Sequence, residues 1–278
     1  MAVEQQSAVS LDVVALRFGA DDPAVTFGVA PRQWDPFAGE LALPGVLLGR
    51  GERLATAARR AVHSKLGVPD QQILAVGQLV TFDEPHRDPR GPTLSIAMWA
   101  VLGHPAPPTG AGQSSTDASA GFEQSHGAES GVVEQAGTDA SAGAQQTSGD
   151  VSGRAEGPTE GETDSAADRL GVRWVSFDEV PPLAFDHSMI VEVARERLAD
   201  MLWKDLAFTR ALIGEQFPAT RAVALATALS GTRPDPGNLN RTLAAIPGLI
   251  RTGERLRTKA TGRPAAVWAF TDSSSGPH

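Results

Sequence analysis

The first part of the chain shows two periods of apolar residues, which together predict a mixed α/β fold. Residues 52–66 place apolar side chains at helical spacing, and Gly67 follows them as a stop signal. A further helix is predicted at 186–203, with Asp186 as its N-cap and its apolar side chains on one stripe. Between the helices, apolar positions that recur every second residue are typical of strands. The predicted strands are 9–18, 24–30, 73–81 and 94–102.

The last part of the chain has a different layout. Thr220 is predicted to cap a short helix that ends at Gly231, and the pair Asp235-Pro236 begins another helix. Apolar stretches at 249–250 and 266–270 then flank a loop that is rich in Arg and Gly. Helix, tight turn, helix and hairpin in this order predict a winged helix-turn-helix.

Residues 104–168 separate these two parts from each other in composition. The stretch is rich in Gly, Ser, Ala, Thr and acidic residues, and it has too little apolar surface to offset the entropy of ordering. Disorder is therefore predicted, and strand-like sequence on both sides indicates an insertion in a loop. With 278 residues, the chain is long enough for about two domains. The predicted organisation is an N-terminal domain at 1–185, a connecting helix at 186–203 that offers a dimer surface, and a winged helix at 204–278.

Charge is spread unevenly along the chain. The formal net charge is -9, but residues 104–168 carry -10 and residues 204–278 carry +5. An acidic chain of this kind does not exclude a DNA-binding face. The absence of cysteine excludes a disulfide scaffold, a thiol nucleophile and cysteine-based metal sites. Because no long apolar stretch and no signal-peptide pattern is present, a cytoplasmic protein without a membrane partner is expected.

The helix predicted from Asp235 has two different faces. Leu239, Leu243 and Ile246 share an apolar face, whereas the opposite face carries Asn, Arg and small residues. Asn and Arg are the side chains that pair with adenine and guanine edges in the major groove. The basic loop that follows suits phosphates or a narrow minor groove. The alternative is a solvated helical hairpin whose charges only maintain solubility. The candidates for binding double-stranded DNA are Thr220, Arg221, Asn238, Asn240, Arg241, Arg257, Lys259 and Arg263.

Residues 43–68 resemble the Nudix box, a motif that holds a glycine, a glutamate and a helix with further glutamates at fixed spacings. Glu52, Arg60 and Gly67 occupy the motif's positions for its first glutamate, its arginine and its last glycine. Val46 stands where the motif has its first glycine. The three later glutamates of the motif are replaced, by Ala61, Ser64 and Lys65.

These three replacements remove the carboxylates that Nudix hydrolases use in catalysis. Positions 61, 64 and 65 project from one side of the helix, where the family's carboxylates hold Mg²⁺ against a pyrophosphate. A methyl, a hydroxyl and an ammonium group do not replace them, so hydrolysis by the family mechanism is not expected and no metal or cofactor is required. The cations Arg59, Arg60 and Lys65 still suit a cleft for a diphosphate, although the helix could also be only a packing scaffold.

Further motifs resemble the Nudix-related transcriptional regulators of NAD metabolism. Residues 87–91 read Arg-Asp-Pro-Arg-Gly, as in that family, and residues 36–45 resemble its approach to the Nudix helix, with Leu41 in place of the usual Trp. The sequence Phe-Asp-His at 185–187 and Gly-Arg-Pro-Ala at 262–265 follow in the family's order.

The resemblance implies an α+β protein, in which a Nudix-like α/β/α sandwich with a mixed sheet precedes a winged helix-turn-helix. It implies a homodimeric repressor of NAD biosynthesis or salvage genes that binds a palindromic operator and is released by ADP-ribose or a related nucleotide. For each arginine in the predicted effector site, a surface ion pair is the alternative. The predicted effector-binding residues are Arg32, Glu52, Arg60, Lys65, Arg87, Asp88 and Arg90.

Two other functions stay open at this point. A Nudix hydrolase such as an ADP-ribose pyrophosphatase could use substitute metal ligands, for which Asp83 and Glu84 are the candidates. Such an enzyme would release AMP from ADP-ribose in the presence of Mg²⁺. An interaction module without a ligand would show neither turnover nor DNA binding.

Overall fold

The computed structural model describes residues 7–19, 24–84, 86–103, 169–256 and 264–271. The elements before the insertion are β1 (Ala8–Phe18), β2 (Val25–Pro31), β3 (Leu41–Ala42), β4 (Gly45–Leu47), α1 (Leu54–Leu66), β5 (Ile73–Phe82) and β6 (Thr93–Leu102). The elements after it are β7 (Arg173–Ser176), α2 (His187–Met201), α3 (Leu206–Ile213), β8 (Gln216–Pro218), α4 (Ala219–Ser230), α5 (Pro236–Ala244), β9 (Leu249–Leu256) and β10 (Ala265–Phe270). Outside the described residues lie the predicted insertion 104–168 and three DNA-binding candidates, Arg257, Lys259 and Arg263.

Strands β1 to β7 form one mixed sheet. Its main order is β3-β2-β1-β6-β5, while β4 pairs with β1 and β7 pairs with β2. Strands β1 and β6 run parallel, from Ala8 opposite Thr93 to Leu16 opposite Val101, and the other neighbours are antiparallel. The strands that the alternating pattern predicted are present, and the prediction of a mixed sheet is confirmed.

The sheet carries an apolar layer on each face. Leu11 and Val13 of β1 belong to one buried cluster together with Val62 of α1. Leu16 of the same strand belongs to a second buried cluster, which includes Phe208 of α3 and the buried side of α2. Because neighbouring residues of a strand point to opposite faces, β1 serves both layers. The arrangement is an α/β/α sandwich, as predicted.

The chain beyond α2 forms a winged helix. Its elements follow in the order α3, β8, α4, α5, β9, β10, and β10 lies between β8 and β9 in an antiparallel sheet. The predicted helix, turn, helix and hairpin are therefore present. Helix α3 and strand β8 were not predicted, since α3 is short and β8 has only three residues.

The ends of these helices test several predicted signals. The Asp235 carboxylate accepts a hydrogen bond of 2.8 Å from the Asn238 N–H, which confirms it as the N-cap of α5. Gly67 and Gly231 end their helices in the left-handed conformation, with φ of 67° and 69°. The predicted Thr220 cap is wrong, because β8 leads directly into α4, whose N-cap residue is a proline.

The winged helix and the sandwich share packed surfaces. Phe208 of α3 lies edge-on to Trp99 of β6, with ring centroids 5.1 Å apart. Ile190 and Leu198 of α2 are fully buried in the same cluster. The described residues on both sides of the insertion belong to one compact unit, and the finer division at 185 and 203 stays a prediction. None of the described helices has the length and hydropathy that a membrane-spanning segment requires.

Candidate functional site

A cleft of about 520 Å³ opens beside the first half of β1. Its walls come from β1, the loop between β2 and β3, helix α1, the loop before β6 and the start of α2. Glu52 does not line the cleft, but it accepts a hydrogen bond from Arg60, which does line it. The other predicted effector-binding residues all line the cleft: Arg32, Arg60, Lys65, Arg87, Asp88 and Arg90.

Arg87 lies at the floor of the cleft, where two carboxylates hold it. Its Nη2 and Nε donate to the two carboxylate oxygens of Asp186 at 2.6 and 2.9 Å. Nη2 also donates to Asp12 Oδ2 at 3.2 Å. The Arg87 side chain is only 4% exposed. Arg87 therefore lines the cleft, but its charge is already neutralised by ion pairs, which are buried rather than on the surface.

Asp12 is the centre of this buried cluster. Ser95 Oγ donates to Asp12 Oδ2 at 2.5 Å, and His187 Nε2 lies 3.4 Å from Asp12 Oδ1. The Leu43 N–H donates to His187 Nδ1 at 3.0 Å, so Nε2 is the ring nitrogen that faces Asp12. Burial raises the pKa of Asp12, but His187, Ser95 and Arg87 outweigh burial and hold that pKa well below its ordinary value. Asp12 is thus ionised at neutral pH and acts as a fixed counter-charge.

Arg32 and Arg90 form a pair of cations beside the Phe185 ring. Their guanidinium carbons lie 4.5 and 5.9 Å from the ring centroid. Asp88 holds Arg90 through hydrogen bonds of 2.7 and 3.0 Å, and the Arg90 side chain stays 57% exposed. Arg32 instead donates to two backbone carbonyls of its own loop, at 2.7 and 3.2 Å. Burial and the like charge of Arg90 lower the pKa of Arg32. Within the part of the chain described, Arg32 has no carboxylate partner.

Two of the three altered glutamate positions of the Nudix box face the cleft from α1. Ser64 and Lys65 are exposed and line it, whereas Ala61 is fully buried in the core. Ser64 Oγ donates to the Ala61 carbonyl at 3.4 Å. The first position of the motif also contributes, since Val46 lies in the lining.

Glu52, the glutamate that the motif retains, is engaged in hydrogen bonds. Arg60 Nε and Nη2 donate to its two oxygens at 2.9 and 2.8 Å. The Gly49 N–H donates to Glu52 Oε2 at 2.8 Å. The hydrogen bonds from Arg60 and Gly49 lower the pKa of Glu52 to about 2. Its carboxylate therefore orients Arg60 at the edge of the cleft.

Ligands for a metal ion are not brought together here. The described residues contain no group of three or more His, Asp or Glu side chains that could hold a metal ion. Asp83 and Glu84, the substitute ligands considered for a hydrolase, are exposed and do not line the cleft.

The buried cluster around Asp12 was missed at the level of the sequence. Asp186 does stand at the N-cap position of α2, but its carboxylate makes no cap hydrogen bond and is bound by Arg87 instead. A usable signal was Asp12 itself, a single carboxylate inside the apolar strand 11–16. A buried carboxylate needs a partner, and Arg87 is that partner.

A second candidate site is the exposed face of α5. Leu239 and Leu243 are buried, as predicted, while Asn238 and Arg241 are exposed. Asn240 is half-buried, and its amide donates to the carbonyl of the first residue of its own helix at 2.7 Å.

Basic residues of β9 lie beyond this helix in the chain. Arg251 and Arg255 are exposed. Glu254, which lies between them in sequence, accepts a hydrogen bond of 2.9 Å from Gln216 Nε2. Thr220 is exposed near the start of α4.

Arg221 requires a correction. Its Nη1 donates to the Gly19 carbonyl at 2.7 Å, and its guanidinium lies 4.2 Å above the Phe18 ring. Burial lowers the pKa of Arg221. The side chain points to the end of β1 because the backbone carbonyls there accept its protons. It therefore ties α4 to the sandwich and does not have the free guanidinium expected for a DNA contact.

Comparisons with known proteins establish the fold. No protein-family model matches the chain, and no curated protein sequence matches it. Shewanella oneidensis NrtR complexed with a 27mer DNA has a TM-score of 0.60 and 19% identity, covering 95% of this chain and 93% of that chain. Shewanella oneidensis NrtR alone has a TM-score of 0.59 and 20% identity, covering 95% and 94%. A MutT/nudix family protein from Enterococcus faecalis has a TM-score of 0.58 and 19% identity, covering 96% and 89%. The fold is thus that of the Nudix-related regulators to which the sequence motifs pointed.

Proposed function

We propose that this protein is a DNA-binding transcriptional repressor of NAD biosynthesis or salvage genes. It works as a homodimer on a palindromic operator, and its catalytically inactive Nudix-like part senses ADP-ribose or a related nucleotide. The observation that carries the proposal is the exposed Asn238 and Arg241 face of α5, within a winged helix that follows a Nudix fold. Shewanella oneidensis NrtR, which shares the fold, has been solved in complex with a 27mer DNA.

The chemistry of the α5 face supports DNA as the partner. Gly237 and Ala244 are small, so they allow the helix a close approach to the groove. Arg241, Arg251 and Arg255 are exposed, and none of them forms an ion pair within the described residues. Exposed cations without partners are the groups that phosphates attract.

The cleft supports a nucleotide as the effector. Its volume of about 520 Å³ is within the range of small-molecule sites. It combines cationic side chains with two aromatic rings, Phe185 and Trp34, and Trp34 is 75% exposed. Such rings offer flat surfaces to a nucleobase, while the cations suit phosphoryl groups.

The state of the Nudix box supports a sensor without turnover. Ala61, Ser64 and Lys65 replace the three glutamates that hold a metal in the motif. Arg60 donates hydrogen bonds to both carboxylate oxygens of the remaining glutamate, Glu52. We expect no AMP release from ADP-ribose in the presence of Mg²⁺. Release that Glu52→Gln abolishes would favour a hydrolase instead.

Fluorescence anisotropy tests the proposal. Labelled DNA from upstream of the host's NAD-biosynthesis genes is titrated with the protein, and ADP-ribose is then added. Specific binding that ADP-ribose weakens is expected. Equal binding to this DNA and to a shuffled sequence would contradict the proposal.

A pair of variants locates the DNA contact. Arg241→Glu places a carboxylate at the centre of the reading face. We expect the free energy of DNA binding to become less favourable by about 1–3 kcal/mol. Arg173→Glu makes the same charge change on an exposed arginine of β7, outside the winged helix. Anisotropy should show little effect of Arg173→Glu. Similar losses in both variants would indicate a general charge effect rather than a reading helix.

A further inference from the structure

The Nudix fold implies a Mg²⁺ site on α1, but the side chains of this chain do not fit that ion. Mg²⁺ requires an octahedral set of oxygen ligands and is usually held through one or two carboxylates. Ala61 offers a buried methyl group, and Lys65 offers only N–H donors. The remaining carboxylate, Glu52, already accepts hydrogen bonds from Arg60 and Gly49 on its two oxygens. The motif's positions thus supply too few oxygen ligands for Mg²⁺ and too little negative charge.

The cations of the cleft lining fall into two groups. Three of the lining cations are neutralised: Arg60 by Glu52, Arg87 by Asp12 and Asp186, and Arg90 by Asp88. Two lining cations have no carboxylate partner among the described residues, Arg32 and Lys65.

These two cations come from different walls of the cleft. Arg32 lies in the loop between β2 and β3, where two backbone carbonyls fix its guanidinium. Lys65 lies in the last turn of α1, at a position where the motif has a metal-binding glutamate. A diphosphate that links two sugars carries one negative charge on each phosphoryl group. Two unpaired cations on two walls match that charge distribution.

We propose that the cleft binds the diphosphate of a nucleotide without a divalent metal, and that Lys65 and Arg32 supply the positive charge that a metal supplies in Nudix enzymes. The proposal rests on the sensor role of the cleft given above. Mg²⁺ at the motif's position would be repelled by the Lys65 ammonium group. Metal therefore neither assists the ligand nor is required by it.

Calorimetric titration of the full chain with ADP-ribose tests this assignment. The titration is performed once in excess EDTA and once in millimolar MgCl₂. We expect the two dissociation constants to agree within about twofold. Binding that occurs only with Mg²⁺ would overturn the inference while leaving the sensor role intact.

Two variants of α1 separate the ligand contact from a general effect of charge. Lys65→Ala should weaken ADP-ribose binding about tenfold in EDTA. Arg59→Ala removes a cation from the same helix, where Arg59 pairs with Asp70 at 3.2 Å and does not line the cleft, so the dissociation constant should not change. Lys65→Glu, which restores the carboxylate of the motif, should weaken metal-free binding more than Lys65→Ala does.

The melting temperature of each variant distinguishes the remaining outcomes. A cation in the last turn of a helix also interacts with the helix dipole, so a purely structural Lys65 would lower the melting temperature and leave the dissociation constant unchanged. That result would overturn the inference. Absence of ADP-ribose binding in both buffers would overturn the inference and the sensor role together, and the anisotropy measurement would then decide separately whether the DNA-binding role stands.

Discussion

A single carboxylate, Asp12, organises the floor of the cleft. It accepts hydrogen bonds from Ser95 and Arg87 and faces His187 Nε2. The contact also explains a retained glycine of the Leu-Pro-Gly segment, because a Cβ on Gly45 would lie 2.5 Å from Asp12 Oδ1. A larger residue at position 45 would displace the carboxylate from Arg87. At the scale of the residue, therefore, the shape of the cleft depends on one fixed ion cluster.

Removing the charge of Asp12 should destabilise the protein strongly. Asp12→Asn keeps the size of the side chain but leaves the buried Arg87 with one carboxylate fewer, and breaking a buried pair typically costs about 3–5 kcal/mol. Urea unfolding monitored by circular dichroism measures the change. Asp70→Asn breaks the exposed Arg59 pair and should cost less than about 1 kcal/mol. Equal effects of the two substitutions would contradict the central role of Asp12.

The depressed pKa of Asp12 also predicts how stability depends on pH. A carboxyl group whose pKa is lower in the folded state stabilises the fold above its unfolded pKa of about 3.9, and this stabilisation is lost as the pH falls through the folded pKa. The difference in unfolding free energy between the wild type and Asp12→Asn should thus be constant from about pH 8 to about pH 5 and should shrink below about pH 4. If the difference in unfolding free energy grows on acidification, the pKa of Asp12 is not lower in the folded state than in the unfolded state.

Residues that line the cleft were predictable from the sequence, but the carboxylates that form ion pairs with them were less so. The motifs indicate Lys65 and Arg90, the end of the second predicted strand indicates Arg32, and all three line the cleft. Arg87 was also chosen, but its main partner, Asp186, is 99 residues away in sequence. Pairing over that separation depends on how α2 packs on the sheet, and a one-dimensional pattern does not contain that information.

Helix α2 contacts the cleft and the first helix of the helix-turn-helix. Asp186 at its start binds Arg87 in the cleft floor. Further along, Arg195 donates to the carbonyls of Leu229 and Ala228 in the last turn of α4, at 3.1 and 3.4 Å. The last carbonyls of a helix have no partner within it, so Arg195 satisfies acceptors next to the turn that leads into α5. One rigid element thus connects the cleft with the helix-turn-helix.

Replacing Arg195 should weaken this connection without touching the cleft. Arg195→Met keeps much of the apolar stem and removes the donors, so we expect a loss of about 1–3 kcal/mol in unfolding free energy. We also expect ADP-ribose to weaken DNA binding by a smaller factor, while its own dissociation constant stays the same. Calorimetry and anisotropy give the two values. Arg197→Met on the exposed side of α2 is the control, and an unchanged effect of ADP-ribose in Arg195→Met would exclude this connection.

Elements with a clear period were predictable, and elements without one were not. Helix α1 buries apolar residues at helical spacing, and strands β1, β2 and β6 bury runs of apolar residues, so the sequence pattern predicts them. Helix α3, the first element of the winged helix, has only eight residues, of which Phe208, Leu212 and Ile213 are buried apolar residues. Eight residues span little more than two turns, which is too short a stretch for a helical period to be recognised from sequence.

The whole molecule combines an acidic chain with a basic winged-helix region. Residues 204–278 carry a net charge of +5, against -9 for the whole chain. Attraction to DNA therefore depends on where the cations lie and not on the total charge. Each phosphate that a cation neutralises releases condensed counterions, which makes DNA affinity fall with salt.

The salt dependence of DNA binding should locate these cations. Replacing Arg251 and Arg255 of β9 together by alanine is expected to reduce the slope of log affinity against log salt by about 0.9 for each phosphate that is no longer neutralised. In the proposed homodimer each of these arginines is present twice, so the reduction in slope should be correspondingly doubled. Replacing Arg53 and Arg173, which are exposed in the first part of the chain, changes the net charge equally and should leave the slope unchanged. Anisotropy over a series of KCl concentrations gives both slopes. If the two double variants behave alike, total charge rather than the winged helix governs attraction to DNA, and the proposed interface is wrong.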